Sequence, residues 1–562
     1  MNWDRRIAPF ASTLALLVFG GFVSPPPAEV AKANSDDVDR ILSTARQGSQ
    51  VMDHLDHLSN RIGPRLTGSN SLRDASEWAR DRFQGFGITN ARLEPWGEFP
   101  VGFNRGPWSG KMVEPTAKAK TLTFGTNAWT AGTKGPIRGP VVLAPENDEQ
   151  LAAVKDKLPG AWVLAGPAPL FRLNGEFRRK REDTYTEAKI AGVVRSTRGD
   201  LILTGGNHRQ TWDKLPEVPA VNLIKAQFDE IAASVKDGKP VTLEFDIQNH
   251  FKKGPIPLDN VVAEIRGTEF PDEYVIVGGH IDTWDGATGT TDNGTGCATT
   301  LEAARLLVAS GVKPRRTIQF MLWSGEEEGL LGSRAYVKNH PDLMPRISAV
   351  LVHDGGTNYL SGIGATVAIR SDLEAVFAPV IGLEPTMPFA VSEVAGLRGG
   401  GSDHASFLAA GVPGFFWRQA GKAVYSHTHH TQFDTFDAAN PEYQKHSAVV
   451  VAIGALGIAN LDHLLSREKL TNPGATTSAG GRRTVGVSLD DTKIVEVVTG
   501  GLADRAGIKV DDVIAKVGDK SVGTSEEVSA AIQEGGPDVT IIVIRDGKTV
   551  EAKVNFAAPT TP

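Results

Sequence analysis

Several short segments of the 562-residue sequence carry acids and imidazoles in patterns that metal chemistry uses. His280-Ile281-Asp282 follows the apolar run Tyr274 to Gly278. A metal-binding imidazole needs its second ring nitrogen held by an acceptor, and Asp282 stands where it can hold His280. Taken alone, the tripeptide reads as a surface histidine at a strand end. Thr291-Asp292-Asn293-Gly294 opens a helix, where Asp more often serves as N-cap than as ligand. Trp323-Ser324-Gly325-Glu326-Glu327-Glu328-Gly329 ends another strand, and three adjacent carboxylates repel one another by more than a helix start offsets. A cation accounts for them, one acid coordinating while its neighbour stays free as a base. Asp354 ends a third strand, and His427, Thr428, His429 and His430 precede Asp434 on a later loop.

Together these segments put His, Asp, Glu, Asp and His at successive strand ends. The donors are nitrogen and oxygen with no thiolate, a set that suits zinc, with manganese or cobalt as substitutes. Five ligands exceed what one tetrahedral ion needs, so two ions bridged by one carboxylate are expected. His427 and His429 alternate and would share one face of a strand, as a two-histidine metal pair does, so spacing alone leaves the last ligand open.

Such a site needs strands that end together. Between Asn260 and about Leu465 the pattern alternates: strands at Tyr274 to Gly278, Thr317 to Trp323 and Ile347 to Val352, and a helix from Gly294 to Ala309. This rhythm predicts an α/β fold, a mixed, mostly parallel sheet with helices on both faces, whose ligands gather at the carboxyl ends of the strands. From Asp36 to about Trp96 the apolar spacing is helical, two helices flanking a loop at Arg61 to Arg65. Between about Gly110 and Gln248 short β-type runs split by Gly and Pro, among them Pro140 to Ala144, Ala161 to Ala165 and Leu201 to Leu203, predict a β-rich insert. Asn472 to Gly481 reads as a linker, and Thr484 to Phe556 as a small α+β unit with a helix near Glu526 to Ile532 and a hairpin turn at Asp546-Gly547.

With 40% apolar and 22% charged residues the chain has the composition of a folded globular protein, and its length calls for roughly two to four domains. A net charge of -7 without a long basic run argues against a nucleic-acid or anionic-membrane surface. Arg5-Arg6, the apolar stretch Ile7 to Val23 and Ala31-Lys32-Ala33 read as an export signal cleaved after Ala33, by either the general or the twin-arginine route. No stable membrane span is expected in the mature chain, which would be periplasmic or extracellular. Cys297 is the single cysteine, so no intrachain disulfide forms, and its small-residue helical setting predicts packing rather than nucleophilic chemistry.

The segments Gly279 to Asp282, Thr291 to Gly294, Gly325-Glu326-Glu327, Asp354, Gly401 to His404, His430 to Thr435 and Arg61 to Ser69 resemble the M28 family of metallopeptidases, within the zinc-exopeptidase fold. The resemblance implies two Zn2+ ions per chain, with His280 and Asp354 on opposite ions and Asp292 bridging. Glu327 and His430 complete the two shells, the family spacing selecting His430 among the histidines. Glu326 would be general base, Asp282 would orient His280, and His429 would lie near substrate. The implied reaction is attack on a terminal peptide bond by a hydroxide bridging the ions. The expected activity is that of an aminopeptidase, with a dipeptidase or carboxypeptidase Q-like enzyme as alternative and a non-catalytic receptor-like scaffold as the alternative of another class. The insert resembles a protease-associated domain, and the tail a PDZ domain that would bind a peptide C-terminus. The expected division is 1–33 signal, 36–110 with 255–468 peptidase, 111–250 insert, 469–482 linker and 483–557 PDZ-like.

Overall fold

The computed structural model describes residues 35–166, 175–470, 485–490, 492–497, 501–523, 527–528, 531–532, 535–536, 538–545 and 547–556. The expected export signal, the Asn472 to Gly481 linker, Asp546 of the expected hairpin turn and part of the expected helix near Glu526 lie outside these residues. No helix among the described residues is long and apolar enough to cross a membrane.

Ten strands organise the peptidase region and its insert: β1 (Arg92–Glu114), β2 (Ile137–Leu143), β3 (Trp162–Ala165), β4 (Gly192–Ser196), β5 (Ala220–Leu223), β6 (Thr242–Ile265), β7 (Phe270–His280), β8 (Arg316–Trp323), β9 (Ile347–Val352) and β10 (Gly414–Phe416). They share one twelve-stranded sheet in the order β10-β9-β7-β8-β6-β2-β3-β4-β5, with β1 beside β6 and the short strands Lys120–Thr121 and Phe124–Gly125 at its margins. Strands β10, β9, β7 and β8 are parallel, and β6 joins them antiparallel.

Apolar alternation explains why β7 lies in the middle. Val275 and Val277 enter the core on one face while Ile276 enters a second core on the other. The first core is covered by the helices Thr295–Ala309 and Pro441–Ala459, which bury Leu301, Ala304, Val450 and Ile453 against it. The opposite face is filled by Met321, Trp323, Val350 and Phe407. With both faces dry, the strand ends are where polar chemistry reaches solvent.

The insert differs from a purely β-type reading. Strands β2 to β5 are parallel to one another, and the helices Asp148–Val154, Gly175–Ala188 and Lys225–Lys236 accompany them. The charged, weakly periodic Gly175–Ala188 segment shows little apolar spacing by which to recognise it. Leu201 to Leu203 is irregular and contributes one isolated bridge, from Leu203 to Thr431. Sequence periodicity also carries the N-terminal helical region too far. Helices Ser35–Gln47, Val51–Asp56 and Asn70–Gly85 form, but Trp96 lies in β1.

Insert and peptidase region are joined by a ribbon. β1 and β6 pair antiparallel from Arg92 with Val262 to Glu114 with Thr242. The near half of β6 extends the peptidase sheet through β8, and its far half pairs with β2 of the insert. Both expected domain boundaries therefore fall inside continuous strands. At the other end of the chain, Val485, Ile494, Ile514, Ile541 and Val543 close a separate core beneath a six-stranded sheet.

Candidate active site

Parallel β7, β8 and β9 end at one edge of the sheet. His280 is the last residue of β7, Glu326 and Glu327 follow β8 through Gly325, and Asp354 stands two residues beyond β9. Gly325 has φ +76, and a Cβ there would press on Trp96 and Leu331, so a side chain is excluded on both counts. The turn it makes sends the Glu326 and Glu327 amides onto Asp282, whose Oδ1 and Oδ2 accept them at 3.3 and 3.2 Å. Thr67 donates its hydroxyl to the same carboxylate at 3.0 Å.

Engaged in this way, the Asp282 carboxylate is not the close partner of His280. The imidazole Nδ1 lies 3.0 Å from the Asp282 carbonyl oxygen and 3.7 Å from its Oδ1. Asp282 thus orients His280 through its backbone, and Nε2 is left to face the centre of the site.

Asp292 occupies that centre. It does not cap the following helix, whose N-cap is Gly294. Its peptide bond to Asn293 is cis. One carboxylate oxygen, Oδ1, lies 3.2 Å from His280 Nε2, and Oδ2 lies 3.1 Å from His430 Nε2. His280 Nε2 is also 3.2 Å from Asp354 Oδ1, and His430 Nε2 is 2.9 Å from Glu327 Oε2. Two histidine–carboxylate pairs thus flank a shared aspartate. This corrects the expected division that set His280 and Asp354 on opposite ions. They project from the ends of adjacent parallel strands and form one pair, while Glu327 and His430 form the other.

His429 stacks on His430 with ring centroids 3.9 Å apart, and its Nε2 is 3.7 Å from Asp292 Oδ2. It approaches one of the acids where His430 approaches two, and its side chain is 46% exposed, which puts it on the open side of the site. His427 stacks instead on Phe433 and stays outside. Cys297 is buried, its thiol donates to the His280 carbonyl oxygen at 3.0 Å, and burial pushes it up to about 12. That environment suppresses a nucleophilic thiolate.

The charge balance tests whether cations fit. Asp282, Asp292, Asp354, Asp403 and Asp434 are all buried, joined by the side chain of Glu327. Burial pushes Glu327, Asp403 and Asp434 up to about 7, and Glu326 well above the usual carboxylate range. Asp292 moves the other way: burial opposes its ionisation, but hydrogen bonds from His280 and His430 hold it low. Burial alone would lower both histidines, yet the surrounding acids hold His280 high and His430 at about 10. Glu327 Oε1 is buried without a hydrogen-bond partner. Packed acids with oxygen and imidazole donors converging on Asp292 fit a pair of divalent cations.

Three supports had no assigned role in the sequence, although each lies in or beside a segment that carries the family likeness. Arg65 is fully buried and donates to the carbonyl oxygens of Leu58, Gly63, Ile281, Thr288 and Gly289, tying the N-terminal region to the loop between His280 and Asp292. Thr67 anchors Asp282, and Asp434 holds the backbone at Thr291 and Asp292. Apart from Leu58 and Gly63, their partners lie more than 140 residues away in sequence, beyond the reach of local spacing.

Residues 260–453 match the model of peptidase family M28, and residues 493–546 match a PDZ domain. Carboxypeptidase Q from Mus musculus is 27% identical over 442 residues, covering 77% of this chain and 92% of that protein. The Homo sapiens carboxypeptidase Q is 27% identical over 418 residues, covering 73% of this chain and 85% of that protein. The crystal structure of a peptidase M28 precursor from Shewanella amazonensis shares the fold at a TM-score of 0.56 and 24% identity, over 77% of this chain and 99% of that one. Residues 260–453, which contain the strand-end acids and histidines, thus match peptidase family M28, and the chain is a zinc metallopeptidase hydrolase that also carries a PDZ domain.

Proposed function

We propose that the chain is an exported two-zinc exopeptidase that hydrolyses terminal bonds of short peptides. The observation that carries this reading is Asp292, set between the His280–Asp354 and His430–Glu327 pairs with one carboxylate oxygen toward each histidine. Those five residues would hold the ions. When bound, the ions would polarise the scissile carbonyl and acidify the attacking water.

The chain's own groups do the remaining work. Glu326 follows the turn pinned by Asp282, and its carboxyl shares the field of His280, Asp354 and Asp403. It takes the proton from the attacking water and delivers it to the leaving amine as the peptide C–N bond breaks. Burial of Asp282, Asp403 and Asp434 keeps the floor of the site dry, which strengthens the electrostatic interactions there. His429, on the exposed side, would hydrogen-bond the substrate.

End preference is proposed to follow the carboxypeptidase Q relatives, which align with about three quarters of the chain. Free dipeptides, N-blocked peptides and aminoacyl chromogens assayed side by side test this. Cleavage of the first two with the chromogens intact supports it, whereas chromogen cleavage with blocked peptides intact makes the enzyme an aminopeptidase. Absence of both zinc and turnover in the purified protein would leave the receptor-like scaffold. Residues 1–33 would direct export, and the PDZ domain would bind a peptide C-terminus by strand addition.

A further inference from the structure

The loop that carries His430 is fastened to the insert. Thr204 donates its backbone N–H to the His430 carbonyl oxygen at 2.8 Å, and Leu203 bridges to Thr431. Gln432 grips the same segment twice: its Oε1 accepts from the Ile202 N–H at 2.8 Å, and its Nε2 donates to the Asp200 carbonyl oxygen at 2.8 Å. The Thr204 side chain also closes over Gly286, in the loop between His280 and Asp292, leaving no room for a Cβ there. A second tie lies nearby: the buried Arg105 guanidinium donates to Asp285 Oδ1 at 2.8 Å and to the Thr126 carbonyl oxygen at 3.0 Å.

His430 itself stands at φ +54, in the left-handed region that a residue with a Cβ adopts at a cost and keeps only where its surroundings over-determine it. Bonds from the insert fall on the residue itself, through its carbonyl, and on the Gln432 side chain two residues later. His280 ends β7, Asp354 stands two residues beyond β9, and the Glu327 turn is pinned by Asp282, so these three are positioned from within the peptidase region.

We propose that insert segment 200–204 is a clamp that sets His430 in place, so that affinity for the ion shared by His430 and Glu327 depends on the docked insert, with Gln432 as its main positioning residue. This rests on the two-zinc reading above.

Full-length metal-free protein titrated with zinc against a competing chelator tests the clamp. Wild type should show two sites. Gln432→Ala should weaken one site by about tenfold or more and leave the other within twofold, as loss of a support behind a ligand does. Gln432→Glu, which keeps the acceptor for Ile202 and loses the donor, should fall between. Gln432 is half-buried, so its truncation leaves the fold intact; Thr204→Pro, which deletes the donor to His430, should reproduce the one-site loss. Unchanged affinities in both Gln432→Ala and Thr204→Pro overturn the clamp. So does equal weakening of both sites with a lower melting temperature of the metal-free protein, the signature of a merely structural bond. Fewer than two zinc sites in wild type overturns the two-zinc reading itself, and the clamp with it.

Discussion

Asp434 holds Asp292 by its backbone: the Asp434 carboxylate accepts the Thr291 amide at 2.5 Å and the Asp292 amide at 3.2 Å. The central acid of the site is therefore aimed by a second acid that faces no histidine. Asp434→Ala removes both bonds and leaves two buried amides unpaired. Zinc affinity is expected to fall about 10- to 100-fold, the usual cost of losing support behind a ligand. Chelator competition on the purified variant measures it, and wild-type affinity would rule out this role.

Thr67 and Asp282 act as one unit with the Glu326 turn. Asp282→Ala should lower kcat at least about 100-fold by releasing the turn that aims the base. Thr67→Val removes one of three donors and should cost less. Steady-state kinetics on zinc-loaded protein give both values, and an Asp282→Ala variant with near-normal kcat would mean that Glu326 is aimed by something else.

Arg65 is fully buried and places a planar guanidinium among five carbonyl oxygens. Lysine cannot reproduce that fork. Arg65→Met should destabilise the peptidase domain by at least about 3 kcal/mol, since several buried acceptors lose their donor. Denaturant unfolding of the metal-free protein reads the change, and a loss under about 1 kcal/mol would show that the carbonyls find other donors.

In the C-terminal unit Asp511 has φ +74, a conformation that glycine adopts without steric penalty. Its carboxylate pairs with Lys493 at 2.8 Å, but both side chains are exposed and such pairs contribute little. Asp512, by contrast, is buried and bound to Arg545, and its carboxyl is held below the usual range, chiefly by that contact. Asp511→Gly should therefore raise the stability of this unit by about 0.5–1 kcal/mol. A higher melting transition for it in calorimetry is expected, and a lower one would mean that the Lys493 pair outweighs the backbone gain.

The strand-end acids and histidine are legible in the sequence because apolar runs stop abruptly before His280, Glu326 and Asp354, and a run that stops beside acids is visible without a structure. Spacing could not choose among the later histidines, since His427 and His429 alternate as a strand pair would. Contact with both Asp292 and Glu327 is what separates His430 from its neighbours. The closeness of His280 to Asp354 depends on which strands are adjacent, and adjacency of β7 with β9 rather than sequence order brings the two together. The β1–β6 ribbon was hidden for a related reason: its partners lie about 130 to 170 residues apart, and Gly and Pro interrupt the alternation in both strands. Arg65 is a polar residue fully inside a core, which no periodicity argument anticipates.

Asp292 would be shared by two ions in the proposed site, and metal stoichiometry tests this most directly. Protein stripped of metal, reloaded with zinc and freed of excess should hold two zinc ions per chain in wild type and in Glu326→Gln, which keeps every ligand while losing turnover. Asp292→Ala should fall below one. One zinc or none in the wild-type chain, or two retained after Asp292→Ala, would contradict the account.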